Sequence, residues 1–104
     1  GVILNIGSLG ALRPYPGLSA YCAAKSGLIG LTSALAVELA GDGIRVNAIL
    51  PGGTVTEGVL ANFPNPGDAE AVCANRVLLG RAGRPIDIAA AALFLASEAS
   101  SFIT

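Results

Sequence analysis

Tyr21 and Lys25 stand four residues apart within Ala20 to Ala40, a stretch without proline, and Ser8 precedes Tyr21 by 13 residues. Residues four apart on a helix share a face. A free tyrosine ionises near a pKa of ~10, too high to give up its proton readily at neutral pH. A nearby lysine cation favours the phenolate, and a general acid/base works best with its pKa near the operating pH. A serine hydroxyl beside such a pair can donate to, or accept from, a substrate oxygen. Taken alone, a Tyr–Lys pair at this spacing is common by chance, and Ser8 is as readily a turn residue. Their weight depends on the elements that place them.

Val2 to Ile6 (VILNI) is a short apolar, partly β-branched run, followed by a turn-rich stretch from Gly7 to Gly17. This pattern predicts a buried strand leading into a loop. Ser19 is placed to cap a long helix over Ala20 to Ala40, on which Leu28, Leu31, Leu35 and Leu39 recur at helical spacing. A second stripe is small: Ala23, Gly27, Gly30 and Ala34. Glycine in a helix interior costs ~1 kcal/mol against alanine, so this stripe implies close approach by a strand, a cofactor or another helix. Gly41 and Gly43 end the helix. Ile44 to Leu50 (IRVNAIL) is the next strand and stops at Pro51-Gly52. Strand, long helix and strand in this order predict a right-handed βαβ unit with parallel strands. The loops after Ile6 and Leu50 then leave from one carboxyl edge, where open α/β sheets bind ligands. That edge would bring Ser8 to the start of the helix carrying Tyr21 and Lys25. Further helices are expected from Asp68 to about Leu78 and from about Ile86 to Ser97, with Asp87 near the amino end of the latter. The loop from Gly80 to Pro85 between them carries Arg81 and Arg84.

Composition narrows the function classes. Of the 104 residues, 53% are hydrophobic and 12% charged, against roughly 25% charged in an ordinary soluble domain. The chain reads as core elements of something larger. Six basic and seven acidic residues give a net charge of −1, with no basic patch for nucleic acid. Cys22 and Cys73 lie 51 residues apart, and there is no histidine. This excludes a zinc site and suits two small thiols in a reducing compartment. No run approaches the ~18 uncharged apolar residues of a membrane helix, and no signal-peptide pattern opens the sequence. The expectation is a soluble, cytoplasmic protein without membrane or nucleic-acid partners.

The string YCAAK (Tyr21 to Lys25), continued by SGLIGLTSALAVELA, resembles the YxxxK motif of the short-chain dehydrogenase/reductase family. GVILNIGS, with Ser8, resembles that family's active-site serine strand. IRVNAILPG resembles its next strand with a Pro-Gly turn, and TVTEG its threonine-containing cofactor loop. LGRAGRPIDIAAAALFLASEASSFIT resembles its C-terminal region almost continuously, so the resemblance covers nearly all of the chain.

The resemblance implies an α/β fold: part of a Rossmann-type, doubly wound parallel sheet, with residues 1–104 forming a single partial domain from its C-terminal, catalytic half. It implies an oxidoreductase that moves a hydride between NAD or NADP and a small-molecule alcohol or ketone. Tyr21 would be the general acid/base. Lys25 would bind the nicotinamide ribose hydroxyls and favour the Tyr21 phenolate, and Ser8 would hold the substrate oxygen. Pro51, Gly52, Thr54 and Thr56 would line the nicotinamide side of the cofactor, Thr54 through its backbone and Thr56 through its hydroxyl. Asn47 would bridge strands or loops, Val59, Leu60 and Phe63 would form an apolar lid, and the complete protein would be a homodimer or homotetramer. Thr54 departs from the family's branched apolar residue, and Leu78 and Ile86 replace a proline and an acidic residue.

The family's glycine-rich pyrophosphate turn has no counterpart in these residues, because Gly41-Asp42-Gly43 precedes a strand rather than a helix. Its proton-relay asparagine has none either, since Asn5 lies inside the serine-bearing strand. The family's last strand would begin just after Thr104. The expectation is a piece of a longer enzyme, inactive alone. The alternative is a non-catalytic dinucleotide-binding or regulatory relative, although such relatives usually lose the tyrosine or the lysine and both are present.

Overall fold

Val2–Ile6 forms strand β1 and Arg45–Ile49 strand β2. They pair in parallel, Val2 opposite Arg45 through Ile6 opposite Ile49. Helix α1, Ser19–Leu39, is the crossover between them, because parallel neighbours cannot be joined by a tight turn. The computed structural model describes all 104 residues, which divide into two compact units: Gly1–Leu50 with Ala91–Thr104, and Pro51–Ala90.

In the first unit α1 is stitched to β1 by side chains. The Asn5 amide donates to Thr32 Oγ1 (2.9 Å), and Thr32 donates to Leu28 O one turn back (2.7 Å). Ser26 donates to Ala11 O (3.0 Å) in the short 3₁₀ turn Leu9–Ala11. Asn5 is thus occupied in packing. Cys22 and Thr32 are the buried positions of α1. The expected cap differs: Ser19 is the first helical residue, and Leu18 occupies the cap position with no side-chain bond. At the far end Ala40–Asp42 tightens to 3₁₀, and Gly43 closes it at φ 70°, a conformation that glycine adopts without steric cost.

The outer edge of β2 is covered by the chain's last residues. Val46 N donates to Thr104 Oγ1 (2.9 Å), Asn47 Nδ2 to Ile103 O (2.8 Å), and Arg45 to the carbonyls of Ile103 (3.2 Å) and Ser97 (3.1 Å). Asn47 is therefore the bridging residue its position suggested. An edge strand otherwise presents unpaired backbone groups.

By length and hydropathy Ser19–Asp42 would suffice to cross a membrane. Its side-chain ties to β1 and its place as the crossover between two paired strands are those of a core helix in an α/β unit. Its small stripe is exposed, and Gly27 and Gly30 have open space where a Cβ would be. No strand of this chain approaches it.

The second unit holds helices α2, Glu57–Leu60, and α3, Pro66–Ala74, and the start of α4, Pro85–Ala96. Thr56 caps the unexpected α2 by accepting from Val59 N (3.2 Å). α3 begins earlier than Asp68 because Pro66 suits a first helical position, and it ends well before Leu78, where Asn75 caps it. Val55, Cys73 and Ala82 form the core of this unit, with Val59 and Leu60 packed against them. These two residues of the expected lid therefore face inward. Leu78 and Ile86, which depart from the family pattern, are exposed.

Gly53 is fixed by this packing. An added Cβ would overlap the carbonyl of Cys73, with that residue's Cα at 2.8 Å. Backbone cannot swing aside as a long side chain can, so Gly53→Ala should destabilise by about 1–3 kcal/mol. Denaturant unfolding of the full-length protein checks this; an unchanged midpoint would mean that α3 sits further away than it does here.

Candidate active site

Ile6 and Ile49 end their strands as a pair, and Gly7 N extends the ladder to Ile49 O (2.8 Å). Ser8 follows directly, at the carboxyl edge of the sheet. It is buried and caps the Leu9–Ala11 turn, its Oγ accepting from Gly10 N (3.1 Å). That bond uses an acceptor lone pair and leaves the hydroxyl proton for another oxygen.

The first turn of α1 comes to the same edge. Lys25 Nζ donates to Ile6 O (2.9 Å), the last residue of β1, and stands 5.8 Å from the centroid of the Tyr21 ring, a cation–π distance. Tyr21 is 43% exposed. Gly10 shows how closely the parts converge: an added Cβ there would lie 3.4 Å from each of Ser8 Oγ, Tyr21 Cε1 and the Cε2 of Tyr15. The structure thus gathers Ser8, Tyr21 and Lys25, as their spacing predicts. Gly10 and Tyr15 carry no signal in residue type alone. The pattern Pro14-Tyr15-Pro16-Gly17 does carry one, since it marks a rigid turn.

The other expected contacts lie in the second unit. Thr54 bridges Gly83 by backbone: Gly83 N donates to Gly53 O (2.8 Å) and Val55 N to Gly83 O (2.9 Å). The Thr54 hydroxyl donates to Gly52 O (3.1 Å). Gly52, Gly53, Thr54 and Gly83 line a cavity of about 140 Å³ together with Val77, Leu79, Arg81, Asp87 and Ile88. Arg81 grips Asp87 with two nitrogens (3.0 and 3.3 Å), and Asp87 also accepts from Arg84 N (2.8 Å) at the start of α4. The Arg81 hydrogen bond, then the Arg84 N–H, hold the Asp87 carboxyl below its usual range. Thr56 spends an oxygen lone pair on Val59 N and keeps its proton.

The donor set suits the nicotinamide-ribose part of a dinucleotide. An ammonium carries three N–H donors, of which Lys25 gives one to Ile6 O. Tyr21 and Lys25 would hold that part from the first unit. Pro51, Gly52, Thr54 and Thr56, the other contacts which the resemblance implies, belong to the second unit. No group of His, Cys, Asp and Glu fit to hold a metal is present.

A parallel α/β unit with a serine, a tyrosine and a lysine at its carboxyl edge puts polar side chains where open α/β sheets bind ligands. A family model described as Enoyl-(Acyl carrier protein) reductase matches residues 1–104. The chain belongs to the short-chain dehydrogenase/reductase family, and its fold is part of that family's Rossmann-type sheet. It is 46% identical over 107 residues to the 3-oxoacyl-(acyl-carrier-protein) reductase FabG of Chlamydia muridarum, covering all of this chain and 41% of that protein. It is 42% identical over 104 residues to 3beta-hydroxysteroid dehydrogenase 1 of Eggerthella lenta, covering 40% of it. Among solved structures, an NADPH-bound short chain oxidoreductase from Pseudomonas aeruginosa PAO1, described as containing an atypical catalytic center, superposes with a TM-score of 0.89 at 36% identity. That match covers all of this chain and 42% of the other.

Proposed function

We propose that the protein carrying this chain is an NAD(P)-dependent dehydrogenase/reductase that interconverts an alcohol and a carbonyl compound. The observation that carries this reading is that Ser8 Oγ and the Tyr21 ring both border the space beside Gly10, with Lys25 hydrogen-bonded to Ile6 O and next to the Tyr21 ring. When bound, the nicotinamide supplies or accepts the hydride at the substrate's carbonyl carbon. Tyr21 gives its hydroxyl proton to the substrate oxygen in reduction and takes it back in oxidation. Ser8 donates its remaining proton to the same oxygen and holds it in line. The Lys25 ammonium, 5.8 Å from the centroid of the Tyr21 ring, offers its other N–H groups to the ribose hydroxyls.

The four-residue Tyr21–Lys25 spacing supports carbonyl rather than enoyl chemistry, because the divergent enoyl reductases of this family space the pair more widely. We place the protein in the cytoplasm, where Cys22 and Cys73 remain the free thiols they are here. We also propose a homodimer or homotetramer, the small exposed stripe of α1 being covered by another copy.

The test is loss of reduced-nicotinamide absorbance when the full-length protein meets NADH or NADPH and a panel of ketones and 3-oxoacyl thioesters. Turnover of at least one carbonyl is expected. Tight cofactor binding with no turnover of any ketone, thioester or alcohol would establish the non-catalytic relative instead.

A further inference from the structure

Thr32 is a polar residue at a buried position of α1, 8% exposed. Its hydroxyl is used in both directions, donating to Leu28 O (2.7 Å) and accepting from Asn5 Nδ2 (2.9 Å). A β-branched side chain has few rotamers, and the bond to Leu28 O selects one. Asn5 is held from the other side by the sheet, where it pairs with Ala48. The Asn5–Thr32 bond is thus a short, stiff strut between β1 and α1.

Its place in the fold gives the strut a consequence. Asn5 directly precedes Ile6, whose carbonyl accepts from Lys25 Nζ (2.9 Å), and Ser8 follows two residues later. Thr32 comes seven residues after Lys25 and eleven after Tyr21, so all three project from α1 within about 40° of one another. The end of β1 therefore grips one face of α1 at two levels, about 10 Å apart along the helix axis. Lysine alone cannot fix the helix, because its flexible four-carbon stem can follow a small turn of α1 and keep its bond. The strut cannot follow. Side chains reach about 5 Å from a helix axis, so a turn of about 10° moves the Tyr21 ring by about 1 Å. Misplacement on that scale can cost about a hundredfold in rate. An apolar pair at these two positions would bury surface as well, but burial has no preferred direction, whereas a hydrogen bond does.

We infer that Asn5 and Thr32 are positioning residues: their hydrogen bond sets the rotation of α1 on β1 and so aims Tyr21 and Lys25 at the edge where Ser8 stands. The inference rests on the oxidoreductase reading of Tyr21 and Lys25. Neither Asn5 nor Thr32 exchanges a proton with substrate, and both act through the helix they hold.

The experiment uses the full-length enzyme, NADH and NADPH, and a ketone that it reduces. Thr32→Val removes the hydroxyl and keeps the shape and the branching. Its kcat should fall about tenfold or more, and its cofactor Kd, read by fluorescence titration, should rise about three- to tenfold. Thr32→Ser keeps the hydroxyl and should restore both. In a Lys25→Ala background, Thr32→Val should change the Kd by less than about twofold, because the strut reaches the cofactor through Lys25 and the two losses are not additive. Thermal unfolding identifies a variant that has merely lost its fold, and Asn5→Ala then breaks the same bond from the strand. An unchanged Kd in a folded variant, no recovery in Thr32→Ser, or the same rise with and without Lys25 would overturn the assignment and leave the pair as packing. A wild-type enzyme that binds neither dinucleotide and turns over no carbonyl would instead sink the oxidoreductase reading, and the role of the strut with it.

Discussion

Tyr21→Phe should lower turnover of the full-length enzyme by on the order of 10²–10⁴, the usual contribution of a positioned general acid/base, while leaving its fold and cofactor affinity nearly unchanged. The substitution removes one oxygen and keeps the ring. The ring edge stays against the Gly10 point, and its face remains available to the Lys25 ammonium. Little packing is lost, because Tyr21 is 43% exposed. A thermal midpoint close to wild type with turnover nearly gone therefore separates a chemical role from a structural one. A near-wild-type rate would show that the proton reaches the substrate oxygen by another route, with Ser8 the nearest candidate. Ser8→Ala then provides a sharper comparison. It removes the hydroxyl that accepts from Gly10 N (3.1 Å), so it should cost some order in the Leu9–Ala11 turn as well as rate.

The backbone of this site was legible in the sequence because both of its signals are local. Five residues of VILNI and five of RVNAI, with a proline-free helix between them, specify a parallel pair, and a parallel pair dictates that both strands end at one edge. Ser8, Tyr21 and Lys25 then converge by position in the chain. The ends of elements were less legible. Ser19 has the chemistry of a cap but entered the helix, and α3 started at Pro66 and stopped at Asn75 rather than running to Leu78. Cap geometry depends on φ and ψ at one residue, which neighbouring packing settles. The packing of Val59 and Leu60 is hard to read from sequence for a related reason. An apolar pair in a glycine-rich loop looks like a lid until Val55, Cys73 and Ala82 are seen to form a core beneath it. Gly53 was hidden in the same way, because only the approach of the Cys73 carbonyl explains why a side chain is excluded there. The roles of the individual site residues, by contrast, came from resemblance. Spacing alone says that Tyr21 and Lys25 share a helix face and nothing of what they hold.

Lys25→Ala tests whether the lysine serves binding and chemistry together, and the structure makes the answer readable. Besides its place over the Tyr21 ring, its ammonium hydrogen-bonds Ile6 O, at an exposed position. Water can replace that partner, so the fold should lose little. Loss of the charge beside Tyr21 should lower turnover, and loss of the ribose donors should raise the cofactor Kd by about ten- to a hundredfold, as expected for one or two charge-assisted hydrogen bonds. Titration of the variant with NADH and NADPH gives the second quantity without any turnover. A raised Kd with unchanged kcat would reduce Lys25 to a binding residue, and a lowered kcat with unchanged Kd would make its field at Tyr21 the whole of its role. Lys25→Arg separates the two further. It retains the charge, but its planar, forked donors cannot reproduce a compact ammonium held between Ile6 O and the Tyr21 ring. Arginine should therefore recover more of the rate than alanine while leaving cofactor affinity impaired. Full recovery of both would mean that charge alone suffices, and that the 2.9 Å bond to Ile6 O does not position the group.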